Sequence, residues 1–458
     1  LVVKPNDLDG LILRSRAALA LGDYATATAL SKQAYRISNN GLLKFNMARL
    51  AAIAHAEAGE DTRAQLWLRR ARQFAPDEER AAQVGQEYRL LANRNPWSTR
   101  LQFGITPSSN VNGGSQEDTL FSPWIGLTTL SVDARDLPGL EVIGGIQSTY
   151  RLSTNQNSAT FLNFGGSFRG IVLQQSVIDE ENEKERAKIE AAAVAAIARL
   201  PSLYEQRNEV LARDEAISDD LRDQIELAEF ERDNTYTDEV VKGSDFSSAS
   251  LSTGLLHRRI LKDGWDPTSF QLDLNHTWYA GDPLSWRYTA SISQSVPVSD
   301  QLALSFRLAK TGREVFARDN NDAYSVDSWD GRAGLSFQLA NTDRISVSFD
   351  VKKSESTNDN NDYRQRGIYA DYAFGRAFAG VQLGIGLGIS ERDYGFDRLV
   401  FLDRKDEIYT FNARARFTEI EYYGFQPEVS LNASRTDSVN SRYDTDTVRI
   451  GFDLRSSF

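Results

Sequence analysis

From about residue 97 to its last residue the chain places apolar side chains at every second position, segment after segment. The clearest run is Val381, Leu383, Ile385, Leu387 and Ile389, alternating with Gln382, Gly384, Gly386 and Gly388. Leu302, Leu304, Phe306 and Leu308, then Ile345, Val347, Phe349 and Val351, then Tyr409, Phe411, Ala413, Ala415 and Phe417 repeat it. The chain ends on the same pattern, with Val448, Ile450, Phe452, Leu454 and Phe458 on one face and Arg449, Gly451, Asp453 and Arg455 on the other. Period two of this kind is a β-strand with one face in an apolar phase and the other in water. A soluble sandwich and a membrane barrel both satisfy it.

The connections separate the two. Counting back from the C-terminus, every second connection is tight: 419–424, 375–377, 341–343, 297–300 and 262–266. Those between are mostly longer and polar, such as 311–323, 355–362 and 391–406, with 280–283 a short exception. Short turns at one end and long loops at the other are the asymmetry of outer-membrane barrels, and a sandwich has no reason to keep it. The spanning segments number about fourteen, an even count that returns the C-terminus to the periplasmic side. Thr99–Pro107 and Phe121–Asp133 compete to be the first strand; taking both breaks the polarity, and the sequence does not choose. We therefore divide the chain into residues 1–95, a linker or first strand at 96–120, and a barrel over 121–458. Arg307, Arg332, Asp350, Asp371, Arg414, Arg416 and Arg449 fall on the polar faces and are expected to line the lumen.

Composition is compatible with this architecture. Mean hydropathy is -0.44, and no run approaches the ~18 apolar residues of a transmembrane helix, a test that strands escape. There is no Cys, which suits passage through an oxidising periplasm. The opening Leu1-Val2-Val3-Lys4-Pro5 reads as a form whose export signal has been removed. Residues 1–95 carry 14 Lys and Arg against 10 Asp and Glu, a net of +4, whereas residues 174–245 carry 9 against 20, a net of -11. The acidity sits in one insertion, the opposite of what a nucleic-acid binder needs. Strand polarity puts this insertion outside the cell. Its Ile189, Val194, Ile197, Leu200, Leu203, Leu211, Leu221 and Ile225 predict a helical hairpin divided at Pro201.

The front of the chain follows a different period. Residues 8–94 read as helices, and Gly22 and Gly59, Ala27 and Ala64, Ala34 and Ala71 share one offset of 37. The pattern resembles the tetratricopeptide repeat, whose usual length is about 34, with a capping helix near Asp77–Asn93. Such repeats bind peptides and proteins. Asp9, Ile12, Arg16, Asn46, Arg49 and Ile53 are expected to line the inner groove, which would receive an acidic segment of cargo or of a periplasmic chaperone.

Reactive chemistry is sparse. His55, His257 and His276 have no partner at metal-ligand spacing. His276 has Asp273 and Asp282 nearby but reads as a girdle or lumen histidine. Asp319–Asp322 and Asn358–Asp362 offer oxygen ligands for calcium, although Asn and Asp also dominate turns for backbone reasons. We read no catalytic site, metal centre or cofactor, and expect the protein not to be an enzyme.

The last strand, ending on the carboxylate of a Phe, resembles the closing strand of bacterial outer-membrane barrels, where that terminus helps recruit the barrel assembly machinery. The junction Pro96-Trp97, followed by Leu101-Gln102-Phe103-Gly104 and Ser109-Asn110-Val111-Asn112, resembles the surface lipoprotein assembly modulators. In residues the likeness rests on Trp97, Ser109, Asn110 and Asn112. The family usually has an acidic residue where this chain has Ser108, and the 174–245 insertion is extra. The resemblance implies a tetratricopeptide-like helical domain in the periplasm, a ~14-stranded antiparallel barrel among outer-membrane lipids, and export or display of dedicated protein cargo, lipidated or soluble. An exopolysaccharide exporter with the same repeats, or a passive porin, is the alternative.

Overall fold

The computed structural model describes residues 7–456 except 123–125, 214–215, 234–240, 318–321, 359–360, 398–401 and 423–424. Phe458, Thr235–Val240 and parts of both candidate calcium loops lie outside the described residues. Five helices come first: α1 (Leu8–Ala20), α2 (Tyr24–Ile37), α3 (Gly41–Glu57), α4 (Asp61–Gln73) and α5 (Glu78–Arg94). The 37-residue offset is a repeat of conformation. Gly22 and Gly59 take φ values of +77° and +76°, the left-handed region that only glycine enters without cost. Each closes its helix with the same bonds: Gly22 N–H to Leu19 O and Asp23 N–H to Ala18 O, then Gly59 to Ala56 and Glu60 to His55. Ala27, Ala64, Ala34 and Ala71 are fully buried, so small side chains let the paired helices close up.

The chain then forms one closed antiparallel barrel. Its strands are β1 (Trp97–Ser108), β4 (Gly139–Thr154), β5 (Ser158–Leu173), β6 (Ser248–Arg259), β7 (Thr268–Tyr279), β8 (Asp282–Pro297) and β9 (Leu302–Val315). The ring continues through β10 (Tyr324–Gln338), β11 (Arg344–Ser356), β12 (Tyr363–Ala373), β13 (Val381–Asp397), β14 (Leu402–Phe417), β15 (Phe425–Ser438) and β16 (Thr445–Ser456). Each strand pairs with the next, and β1 closes the ring between β16 and β4, giving 14 strands. Of the two candidate first strands, Trp97–Ser108 spans. Residues 119–122 and 126–129 (β2 and β3) pair only with each other as a short hairpin outside the ring, so the barrel begins at Trp97.

Register assigns the faces. Leu383 and Ile385, opposite Ala415 and Ala413, point outward; Leu383 is 37% and Leu387 59% exposed. Phe452, Leu454, Phe306, Leu335 and Val347 continue this belt. Apolar side chains exposed around a closed barrel face hydrocarbon, so the ring is a membrane-spanning β-barrel. No described helix is long and apolar enough to cross a membrane.

Other expectations change too, beginning with the connections: that at 311–323 starts only after Val315. The stretch 391–406 is mostly ladder, with Glu391 opposite Glu407 and Arg392 opposite Asp406, and only 398–401 connects the strands. Above the hydrocarbon both faces are wet, so strand pairing continues without apolar alternation; outward Arg366 bonds Glu391 there. In the insertion, Pro201 does not divide the hairpin. Helix α6 (Gln175–Ala212) runs through it, and α7 (Asp219–Asp233) packs back against it. Pro201 lacks an N–H, a loss of roughly 3 kcal/mol within a helix, which the packing of Ala196, Leu200, Leu203, Leu221, Ile225 and Ala228 offsets.

Candidate functional site

The barrel has two ends. Helix α5, the turns 155–157 and 339–343, and the C-terminal end of β16 share one; the 109–138 connection and the α6–α7 insertion share the other. At the first end the helical domain is fastened to the barrel. Arg151 donates to the carbonyls of Asn93, Arg94 and Asn95. Arg72 pairs with Glu421 at 3.0 Å, and the Arg69 guanidinium lies over the Phe425 ring. Asn95 holds Thr62 and Gln65 through its amide nitrogen and receives the Trp97 N–H. Trp97 faces outward against Tyr150 at 4.8 Å between ring centroids, as an interfacial aromatic does.

At the far end the Ser-Asn-Val-Asn segment turns into the lumen. Ser109 bonds Val448 twice, through its N–H to the carbonyl and through its hydroxyl from the Val448 N–H. Asn110 is fully buried, and its amide clasps Gly114 from both sides, Nδ2 to the carbonyl at 2.8 Å and Oδ1 from the N–H at 3.0 Å. Asn112 donates to Asp133 O and Arg135 O and accepts from the Leu137 N–H. These bonds turn residues 109–138 back onto themselves. Beneath them sits Glu141 of β4, its side chain 5% exposed, gripped by Arg169 of β5 at 2.9 Å and Arg449 of β16 at 3.1 Å. The same arginines reach the loop carbonyls, Arg169 to Val111 and Arg449 to Asn110. Val111 completes an apolar cluster with Leu137, Ile171, Leu173, Val241 and Phe246. The loop is thus latched to the inner wall of β16, β1, β4 and β5. Glu141 and Arg169 carry this latch and were missed in the sequence, because their partners are far away in the chain and no local spacing marks them. Asp136, in the same connection, has its carboxyl pushed above the ordinary range, first by burial.

The register puts Arg307, Arg332, Asp350, Asp371, Arg414, Arg416 and Arg449 on the face opposite the apolar belt. Arg332 opposes Asp350 and forms a two-bond pair with it. Arg416 pairs with Glu428 at 3.2 Å. Asp371 and Arg414 lie over the small positions Gly386 and Gly384 of β13, where an added Cβ would meet the Asp371 carboxylate and the Arg414 Nε. Arg307 stands directly opposite Arg332.

The groove residues are brought together less fully. Asp9 and Arg16 are exposed on α1, with Ile12 half-buried; Asn46, Arg49 and Ile53 are their counterparts 37 residues later on α3. Arg49 is committed to Glu87 of α5, which neutralises that part of the groove. His55 is buried with Nδ1 2.5 Å from Glu60, and burial lowers its pKa although Glu60 opposes the shift. His276 faces outward between Trp278 and Trp286, while Asp273 faces the lumen, so they form no common site. No cluster of metal-ligating side chains occurs among the described residues.

Residues 241–458 match the family model described as surface lipoprotein assembly modifier. No curated protein matches the chain in sequence. Among solved structures it is similar to a loop-deletion mutant of Vibrio cholerae OmpT, at 8% identity over 79% of this chain and 99% of that one, with a TM-score of 0.32. Acinetobacter baumannii OccAB3 follows at 9% identity, 78% and 98% coverage and a TM-score of 0.35. A BenF-like porin of Pseudomonas fluorescens Pf-5 gives 8%, 79%, 98% and 0.32.

Proposed function

We propose that this barrel, whose residues 241–458 match the surface lipoprotein assembly modifier model, lies in the outer membrane and exports or displays a dedicated protein cargo. Its helical domain is a tetratricopeptide-like platform in the periplasm that receives the cargo and presents it to the lumen. The observation that carries this reading is the fastening of that domain to the barrel end by Arg151, Arg72 and Arg69. A passive pore needs no folded domain at its mouth. The cargo is a surface lipoprotein or a soluble secreted protein, handed over by periplasmic chaperones, and the barrel assembly machinery inserts the barrel itself. No catalytic step, metal or cofactor enters; export draws on cargo folding outside or on partner proteins.

The polysaccharide alternative has less support. Three tyrosines near the far mouth have guanidinium groups over their rings: Arg404 lies over Tyr394 and Tyr443, and Arg392 over Tyr363. Those faces are occupied and do not form the open aromatic platform a sugar needs.

The test is to express the chain with the secreted or lipidated protein encoded beside its gene and to label the surface of intact cells. We expect the cargo on the surface with the wild type. Arg151→Ala combined with Arg72→Ala should leave it in the periplasm at normal barrel levels. Full display by this variant overturns the role of the docked domain.

A further inference from the structure

The wall farthest from the latched loop is chemically different. Counting round the ring, β10 lies seven strands from β1 in either direction. On the inner faces of β8, β9 and β10, arginines stand opposite arginines, Arg287 against Arg313 and Arg307 against Arg332. Like charges directly opposite on neighbouring strands are destabilising. One of the four is neutralised. Arg332 has Asp350, and the other carboxylate of that recess, Asp330, lies 4.0 Å from Lys352. Among the described residues Arg313 bonds the Ser285 hydroxyl alone, and neither Arg287 nor Arg307 has a carboxylate partner. Arg307 and Arg313 are six residues apart on one strand, roughly 20 Å along the barrel. Between these levels the wall is smooth and hydroxylic, with Thr289 and Thr311 bonded across the strands.

We propose that this wall is a cationic track that holds acidic, extended polypeptide segments in transit. Resting on the protein-export reading, it names the cargo chemistry: runs of Asp and Glu that meet Arg287 and Arg313 at one level and Arg307 at another. Guanidinium groups form paired hydrogen bonds with carboxylates, and hydroxyls between them bond an extended backbone without trapping it apolarly. A ligand at this wall also relieves the like-charge pairs. The acidic insertion has the ligand's own sign and cannot be what an acidic probe binds.

The experiment uses the full chain folded in detergent and a fluorescent oligoglutamate peptide, with binding followed by anisotropy at low salt. We expect binding that falls steeply with added salt, and at least a tenfold loss of affinity in Arg287→Gln/Arg307→Gln/Arg313→Gln. A control that removes three helical-domain charges, Arg14→Gln/Arg36→Gln/Arg89→Gln, should stay within twofold. If the triple lumen variant does not fold, judged by heat-modifiable migration, Arg307→Gln alone should cost about threefold. Equal losses in lumen and control variants, or none in either, overturn the track. Binding of an anionic polysaccharide that needs these arginines while oligoglutamate does not bind overturns the peptide assignment. A track that binds oligoglutamate in a protein that displays no cargo leaves the track standing and removes the export reading.

Discussion

The two sides of this lumen handle charge in opposite ways. On the wall formed by β16, β1, β4 and β5, one carboxylate, Glu141, is shared by two arginines that also reach loop carbonyls, so the cations there are spent on holding residues 109–138. On the β8–β10 wall, arginines face arginines, and three of the four have no carboxylate partner among the described residues. The first wall resembles a protein interior, in which ions persist because their partners are fixed. The second keeps like charges side by side. The local sequence on both walls is the same alternation, and what distinguishes them is which residues the ring places side by side.

That contrast can be broken most forcefully at Glu141. Glu141→Ala leaves Arg169 and Arg449 without their anion and should destabilise the barrel by about 2–3 kcal/mol. This is below the ~3–5 kcal/mol of a fully buried pair, because both arginines also touch lumen water. Urea unfolding in lipid should register it, and an unchanged midpoint would mean that the pair only decorates the wall. Asn110→Ala should cost about 1–3 kcal/mol, since it strands the Gly114 N–H and carbonyl in a buried site. Its effect should appear as faster amide exchange or proteolysis within 109–138, with the strands still protected. The smallest effect has the opposite sign. Arg287→Gln removes a like-charge neighbour of Arg313 and should raise stability by about 0.2–0.5 kcal/mol. A loss above about 1 kcal/mol would show that Arg287 already has a partner and that the two walls are alike.

Much of the architecture is legible locally. Helical and strand periods differ, Gly22 and Gly59 announce the same turn, and alternation assigns Leu383 outward and Arg414 inward from neighbouring residues alone. What escapes is whatever depends on distant pairing or on the position of the bilayer. Thr99–Pro107 and Phe121–Asp133 alternate equally well, and only pairing with both β16 and β4 makes the former the first strand. Residues 391–397 looked like loop because strands above the membrane are polar on both faces. Pro201 suggested a break, but its cost is smaller than what the α6–α7 packing contributes. Asn110 and Asn112 were visible as a motif, whereas Glu141 and Arg169 were not.

The bond from the Val448 N–H to the Ser109 hydroxyl joins residues 339 positions apart. Bringing such distant points of a flexible chain together costs on the order of 5 kcal/mol in closure entropy, far more than one hydrogen bond returns. The clasp therefore cannot lead assembly: it forms last, when every hairpin between β4 and β16 has already shortened the effective distance. Until the final strand has left the ribosome and reached the membrane, the sheet has two raw edges and the motif has nothing to grip. A closed latch at Ser109 is thus a certificate of completion, and an immature barrel is distinguishable from a finished one by a single loop at its mouth.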